Sequence, residues 1–233
     1  MKAFHNNSLI KELYLTRLNK HYKADEIIKG QYWKNGKGCA VGCTIHSSKH
    51  KNYESELGIP ICLAYLQDRI FEGLTNELAK KFPLQFLSAI NVGSDLKNVS
   101  KLFMIWVLTD SKYGALQYAE EKKVIQDVAD AISKDMVTPV SVEEWEELRK
   151  NAYDAYPAAS IAASNSAASN SAVYASVYAY SVAAYSVVSA SAFASGYSNA
   201  VNTAANACIS NNTISKWYIA ASKKLIELLE EAN

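Results

Sequence analysis

Apolar residues recur at helical spacing through most of the first two thirds of the chain. Ile10, Leu13, Tyr14 and Leu18 share one face, and Ser8 stands in place to cap it. Pro60 is suited to open a helix whose apolar positions are Leu63, Leu66, Ile70 and Phe71. Asp95 precedes Val99, Leu102, Phe103, Trp106 and Val107, which follow the i, i+3, i+4 rule. Between Leu116 and Met136, Val124, Val128 and Ile132 repeat every four residues. Ser141 and Glu144 have capping-box spacing, with Trp145 and Leu148 on the face that follows. Asn212 or Thr213 starts a last helix carrying Trp217, Ala221, Leu225, Leu228 and Leu229. No series of alternating β-type runs interrupts residues 1–155. The pattern predicts a mostly α protein built as a single helical domain.

The pattern changes after residue 155. From Ala155 to Ser215 there is no Asp, Glu, Lys or Arg, and Ala, Ser, Asn, Val and Tyr dominate. The chain therefore divides by composition into 1–155, a helical part with a Gly/Cys/His loop, and 156–233. The second part is an Ala/Ser-rich, charge-free, low-complexity region followed by an amphipathic C-terminal helix, expected to pack on the first. The helix propensity of Ala favours an Ala/Ser/Tyr-rich helical region. The alternative is a short β-solenoid over about residues 160–207, because Ser166, Ser171, Ser176, Ser181, Ser186 and Ser191 recur every five residues. Five residues turn an α-helix by about 500°, which spreads such a series around its surface. No register of the five-residue repeat supplies a uniform bulky inward position, so the helix is preferred. Seven tyrosines between Tyr153 and Tyr197 demand burial and argue against disorder.

Composition narrows the function classes. Hydrophobic residues are 49% of the 233, enough for a globular core. The net charge of +1 gives no nucleic-acid footprint. No stretch reaches the roughly 18 consecutive apolar residues of a membrane span. MKAFHNNSLIKELY has no signal-type apolar core, so a cytoplasmic protein with free thiols at Cys39, Cys43, Cys62 and Cys208 is expected.

The richest chemistry lies in GKGCAVGCTIHSSKH, residues 36–50. Cys39, Cys43, His46 and His50 are separated by four, three and four positions, which on one continuous helix is an arc of about 60°. A single helix face wraps poorly around a tetrahedral zinc ion, so these four make only a weak metal set, and no cofactor is expected. In a catalytic reading Cys39 or Cys43 is a nucleophile at a helix start. His46 or His50 serves as base, and Asp68 or Glu72 orients it. In a binding reading Gly36, Lys37, Gly38 and Gly42 turn backbone N–H groups toward a phosphate- or nucleotide-like anion, helped by Thr44 and His50. The run fits neither a Walker loop nor a dinucleotide fingerprint.

The same run carries a resemblance. GCAVGCTIHSSKH, then YESELGIPICLAYLQDRIFEGL, then PLQFLSAI, resembles an uncharacterised family of bacterial and phage proteins. In that family a GCAVGC-type motif precedes helices, and an Ala- and aromatic-rich region ends in a helix like KWYIAASKKLIELLEE. The resemblance implies a helical fold throughout and brings no activity. The leading expectation is a binding protein for a small anionic ligand or a partner protein, with a sequestering factor suggested by analogy with small phage proteins. The alternatives are a cysteine-dependent hydrolase or transferase, and a structural or interaction module. The oligomeric state is left open.

Overall fold

The computed structural model describes residues 1–117, 119, 122–162 and 211–233. It is predominantly helical. The expected helix-or-solenoid choice for residues 160–207 falls almost wholly outside the described residues. The helix that starts at Val142 runs on to Ala162. Among the described residues no helix is long and apolar enough to cross a membrane. The chain forms two compact units, Met1–Ser100 with Tyr218–Asn233, and Lys101–Trp217.

The first unit holds the Gly/Cys/His segment. Helix α1 (Ser8–Lys23) is capped one residue earlier than expected: Asn7 accepts the Leu9 N–H at 3.0 Å. Asn is among the best N-caps because its short oxygen reaches back to an orphan N–H. Tyr14 and Leu18 are buried, whereas Leu13 is 55% exposed. Residues 33–38 form a two-stranded antiparallel hairpin, β1 (Trp33–Lys34) and β2 (Lys37–Gly38). Its turn is Asn35-Gly36, with φ of +53° and +79°. That is the left-handed pair a tight hairpin requires, and Asn-Gly is its strongest short-range signal.

Cys39 then caps α2 (Ala40–Ile45), a helix buried along its whole length. Gly38 and Gly42 explain how it is buried. A Cβ built on them would lie 2.0 Å and 1.5 Å from the Tyr32 carbonyl oxygen. Only glycine lets that backbone seat directly on the helix. The Cys39 N–H completes the join by donating to the Gln31 carbonyl at 2.7 Å and the Tyr32 carbonyl at 3.2 Å.

Helix α2 stops at His46, whose φ of +51° is left-handed, and the short α3 (Asn52–Leu57) follows. Pro60 opens α4 (Ile61–Gly73) as expected, burying Leu63, Leu66, Ile70 and Phe71. Helix α5 (Asn76–Ala89) was not anticipated, because Pro83 stands inside it. Phe82, Phe86 and Leu87 are buried there. Burying each large apolar side chain is worth about 1.5–3 kcal/mol, which offsets the hydrogen bond that proline removes. The C-terminal residues belong to this unit as well: the Asn233 carbonyl accepts the Asp95 N–H at 2.9 Å. Asp95 organises the turn ahead of α6 (Val99–Thr109), accepting the Lys97 N–H, rather than capping the helix itself.

In the second unit α7 begins at Lys122, not at Leu116, and ends at Asp135. Its buried stripe is Ile125, Val128, Ala129 and Ile132. Helix α8 (Val142–Ala162) starts on half of the expected capping box: Ser141 Oγ accepts the Glu144 N–H at 3.2 Å. The Glu144 carboxylate turns instead to Lys134 at 2.7 Å. Trp145 is buried in this unit. Trp217, on the last helix α9 (Asn211–Glu231), donates its indole N–H to the Tyr113 carbonyl at 2.9 Å.

Candidate functional site

The four residues read as a possible ligand set are parted by the end of α2. Cys39, Cys43 and His46 lie on or beside that helix, but the left-handed turn at His46 carries the chain away before His50. The premise of one continuous helix face fails there. Three separate environments result, and among the described residues no group of three or more His, Cys, Asp or Glu is placed to hold a metal.

Cys43 is fully buried. Its thiol donates to the Gly38 carbonyl at 3.3 Å, with the Glu26 carbonyl at 3.6 Å. Burial pushes it up to about 12. It packs as a small hydrophobe, and neither His50 nor Asp68 stands among the groups acting on it. Thr44 is also spent internally, its hydroxyl donating to the Ala40 carbonyl at 2.7 Å.

The expected anion nest is not assembled at its centre. The Gly38 N–H donates to the Glu26 carbonyl and the Cys39 N–H to Gln31 and Tyr32. Gly36 and Lys37 are exposed at the hairpin turn and β2, and Gly42 serves close packing. A groove of about 660 Å³ in this unit is lined by Gln85, Ser88, Ser222, Lys223, Glu227 and Glu230 among others, none of them from 36–50.

Two clusters do form. In the first, His50 is buried at 6% exposure, with its ring stacked on Tyr65 at 4.1 Å and met edge-on by Tyr32 at 5.4 Å. Its Nε2 lies 3.5 Å from Asp68 Oδ2, an ion-pair distance too long for a formed hydrogen bond. His50 Nε2 and Asp68 Oδ1 are both buried with no hydrogen-bond partner. Cys39, 1% exposed, lies against the same carboxylate. Burial raises its thiol far above the usual range, and the charge and acceptor oxygens of Asp68 raise it further. Tyr32 is 50% exposed, so this corner reaches the surface beneath that ring. Asp68, named from sequence as an orienting partner for a histidine, meets His50. Glu72 does not: its carboxylate accepts the Gly30 N–H at 3.0 Å, and burial raises it above the ordinary carboxylate value.

The second cluster joins residues that the sequence reading did not group. His21, on the last turn of α1, has its Nδ1 2.6 Å from Glu26 Oε2 and its Nε2 2.8 Å from His46 Nε2. The His46 ring stacks on Trp33 at 4.5 Å and 11°. Partial burial holds His46 below the usual imidazole value, and the charges of Arg17 and His21 push the same way. The left-handed backbone at His46 is what aims its ring at α1 rather than onward along α2.

Comparison with protein-family models, curated proteins and solved structures gives no match for this chain. The reading of function therefore rests on these two clusters.

Proposed function

We propose that this protein is a cysteine-dependent hydrolase or acyl transferase, with Cys39 as nucleophile, His50 as base and Asp68 as the charge beside both. One observation carries the reading: Asp68 lies beside both the buried Cys39 thiol and His50 Nε2, and His50 Nε2 and Asp68 Oδ1 are buried without hydrogen-bond partners. Leaving a buried polar atom without a partner costs about 1–3 kcal/mol, and a catalytic role is one reason a fold retains such atoms. An anion-binding role has less support, because the Gly38 and Cys39 amides are engaged and the side chain facing the thiol is a carboxylate.

The electrostatics select a mechanism. A carboxylate beside Cys39 disfavours a resting thiolate, so the thiol is neutral before substrate arrives. Attack then needs general-base help. As sulfur bonds to the acyl carbon, the S–H proton passes to His50 Nε2 and the carbonyl π pair moves to oxygen. Asp68 stabilises the imidazolium. When the tetrahedral adduct collapses, the leaving group departs with that proton, and a thioester on Cys39 remains. Water deprotonated by the same imidazole attacks the thioester, releases the acid and restores the thiol. An amine or alcohol in place of water gives acyl transfer. Cys39, Cys43 and Cys62 are free thiols, which suits the reducing cytoplasm, where we assign the protein.

The test uses activated acyl esters with intact-mass and peptide-mass readout. A transient acyl adduct on Cys39 is expected. His50→Gln should slow both its formation and its turnover, and Cys43→Ala should leave the adduct unchanged. No adduct on Cys39 in any variant, with thermal melting showing every one folded, overturns the proposal.

A further inference from the structure

The pair His21 and His46 has no part in that chemistry. From its geometry we infer that His21 Nε2 and His46 Nε2 together chelate a divalent late first-row transition ion of tetragonal preference, Cu²⁺ or Ni²⁺.

The argument begins with tautomers. Glu26 Oε2 lies 2.6 Å from His21 Nδ1, so that nitrogen carries the proton and His21 Nε2 presents a lone pair. A carboxylate on the far nitrogen of an imidazole is the usual support behind a metal-bound histidine: it fixes the ring and makes the ligating nitrogen more basic. His46 Nε2 lies 2.8 Å away, on a side chain exposed to solvent. In the metal-free pair His46 Nε2 supplies the shared proton. On binding, that proton moves to His46 Nδ1 through solvent, and the metal takes its place between two neutral imidazoles.

The separation selects the ion. Metal–imidazole bonds are about 2.0–2.1 Å. Two such bonds at right angles, as in neighbouring positions of a square-planar or octahedral ion, put the nitrogens about 2.9 Å apart, whereas tetrahedral zinc needs about 3.3 Å. The observed 2.8 Å matches the right-angled separation, and each ring, which now points its Nε2 at the other across 5.0 Å between centroids, turns by about 45° to bring both lone pairs onto one ion. Trp33, stacked on His46 at 4.5 Å and edge-on to His21 at 5.4 Å, gives both rings a shared aromatic wall. Glu26 faces the far nitrogen of His21, and among the described residues no third His, Cys, Asp or Glu is placed to ligate a metal with the pair. The remaining coordination positions go to water or to a donor atom on a small ligand.

Redox-inert Ni²⁺ is the probe. The full chain, stripped with chelator, is titrated with NiCl₂ by calorimetry. One saturable site is expected, with Zn²⁺ binding more weakly. His46→Asn should weaken Ni²⁺ binding at least tenfold, since Asn tolerates the left-handed backbone and the fold should survive. His21→Gln should do the same. His5→Gln and His50→Gln should leave binding unchanged. Trp33 offers a second readout, because bound Cu²⁺ should quench part of the tryptophan fluorescence in the parent and not in His46→Asn. The inference fails if no saturable Ni²⁺ site is seen, if His46→Asn binds as the parent does, or if His5→Gln removes the site.

Discussion

Residues 36–50 and the helix pair α7–α8 are built on opposite plans. In α7 the buried stripe is made of side chains at helical spacing, Ile125, Val128, Ala129 and Ile132, with Ala131 buried beside it. Burial there is distributed, each side chain adding a similar increment. In the 36–50 segment burial is achieved by the absence of side chains. The Tyr32 backbone lies where Cβ atoms of Gly38 and Gly42 would be, and the whole of α2 is buried with it. A surface made of side chains can repack when one of them changes; a backbone-on-backbone contact has nowhere to move. The difference also governs chemistry, because the backbone that seats on Gly42 is the one that carries Tyr32 to the edge of His50.

Gly42→Ala should be the harshest test of that contrast. The added methyl would stand 1.5 Å from the Tyr32 carbonyl oxygen, so backbone must shift. A cost of about 3 kcal/mol or more is expected, at the upper end of overpacking effects. Urea unfolding measures it, and a cost below about 1 kcal/mol would show that the Tyr32 contact gives way easily. Gly36→Ala should cost less and for a different reason. Nothing lies within 4 Å of its Cβ, but its φ is +79°. The expected penalty is about 1–2 kcal/mol of backbone strain, with the His50 cluster intact. Equal costs at the two glycines would erase the distinction between close approach and turn geometry.

How much of this was readable beforehand follows the same division. The helices α1, α4, α6, α7 and α8 were visible because their apolar stripes repeat, with ends misplaced by a few residues where Asn7 or Asp95 took over the local hydrogen bonding. Helix α5 was hidden by Pro83, a residue that normally ends helices and here is outweighed by the burial of Phe82 and Phe86. The Asn35-Gly36 hairpin carried a clear signal that glycine richness masked. In the candidate site, Cys39 at a helix start followed from residue type and spacing, whereas spacing leaves the choice of His46 or His50 with Asp68 or Glu72 open, and only the fold brings His50 to Asp68. The His21, Glu26, Trp33 and His46 cluster was not legible. Its members come from α1, a loop, β1 and the end of α2, and only the left-handed turn at His46 brings them together. Periodicity reports what one element buries and is silent on contacts between elements.

Ile132→Val in α7 probes the distributed plan. One buried methylene group is lost from a stripe of four, and the neighbours share the adjustment. The expected cost is about 0.5–1.5 kcal/mol, read as a shift of the urea midpoint with unchanged slope. A loss as large as that of Gly42→Ala would mean that α7 is as unforgiving as α2, and the contrast would fail.

The outer face of α7 should be nearly indifferent. Lys123 Nζ sits 2.6 Å from Asp127 Oδ2, one turn along the helix, and the lysine side chain is 82% exposed. Such pairs contribute about 0.3–0.5 kcal/mol at most, because water screens the attraction and ordering two long side chains costs entropy. Lys123→Ala should therefore change stability by no more than that, and Ala's own helix propensity works in the opposite direction. Adding salt should shrink even this small difference, since exposed charges are screened over about 10 Å at 0.1 M. A salt-independent loss above about 1 kcal/mol would show that the lysine stem covers apolar surface of the helix pair. The stability of α7 would then depend on its polar face as well as on the apolar stripe.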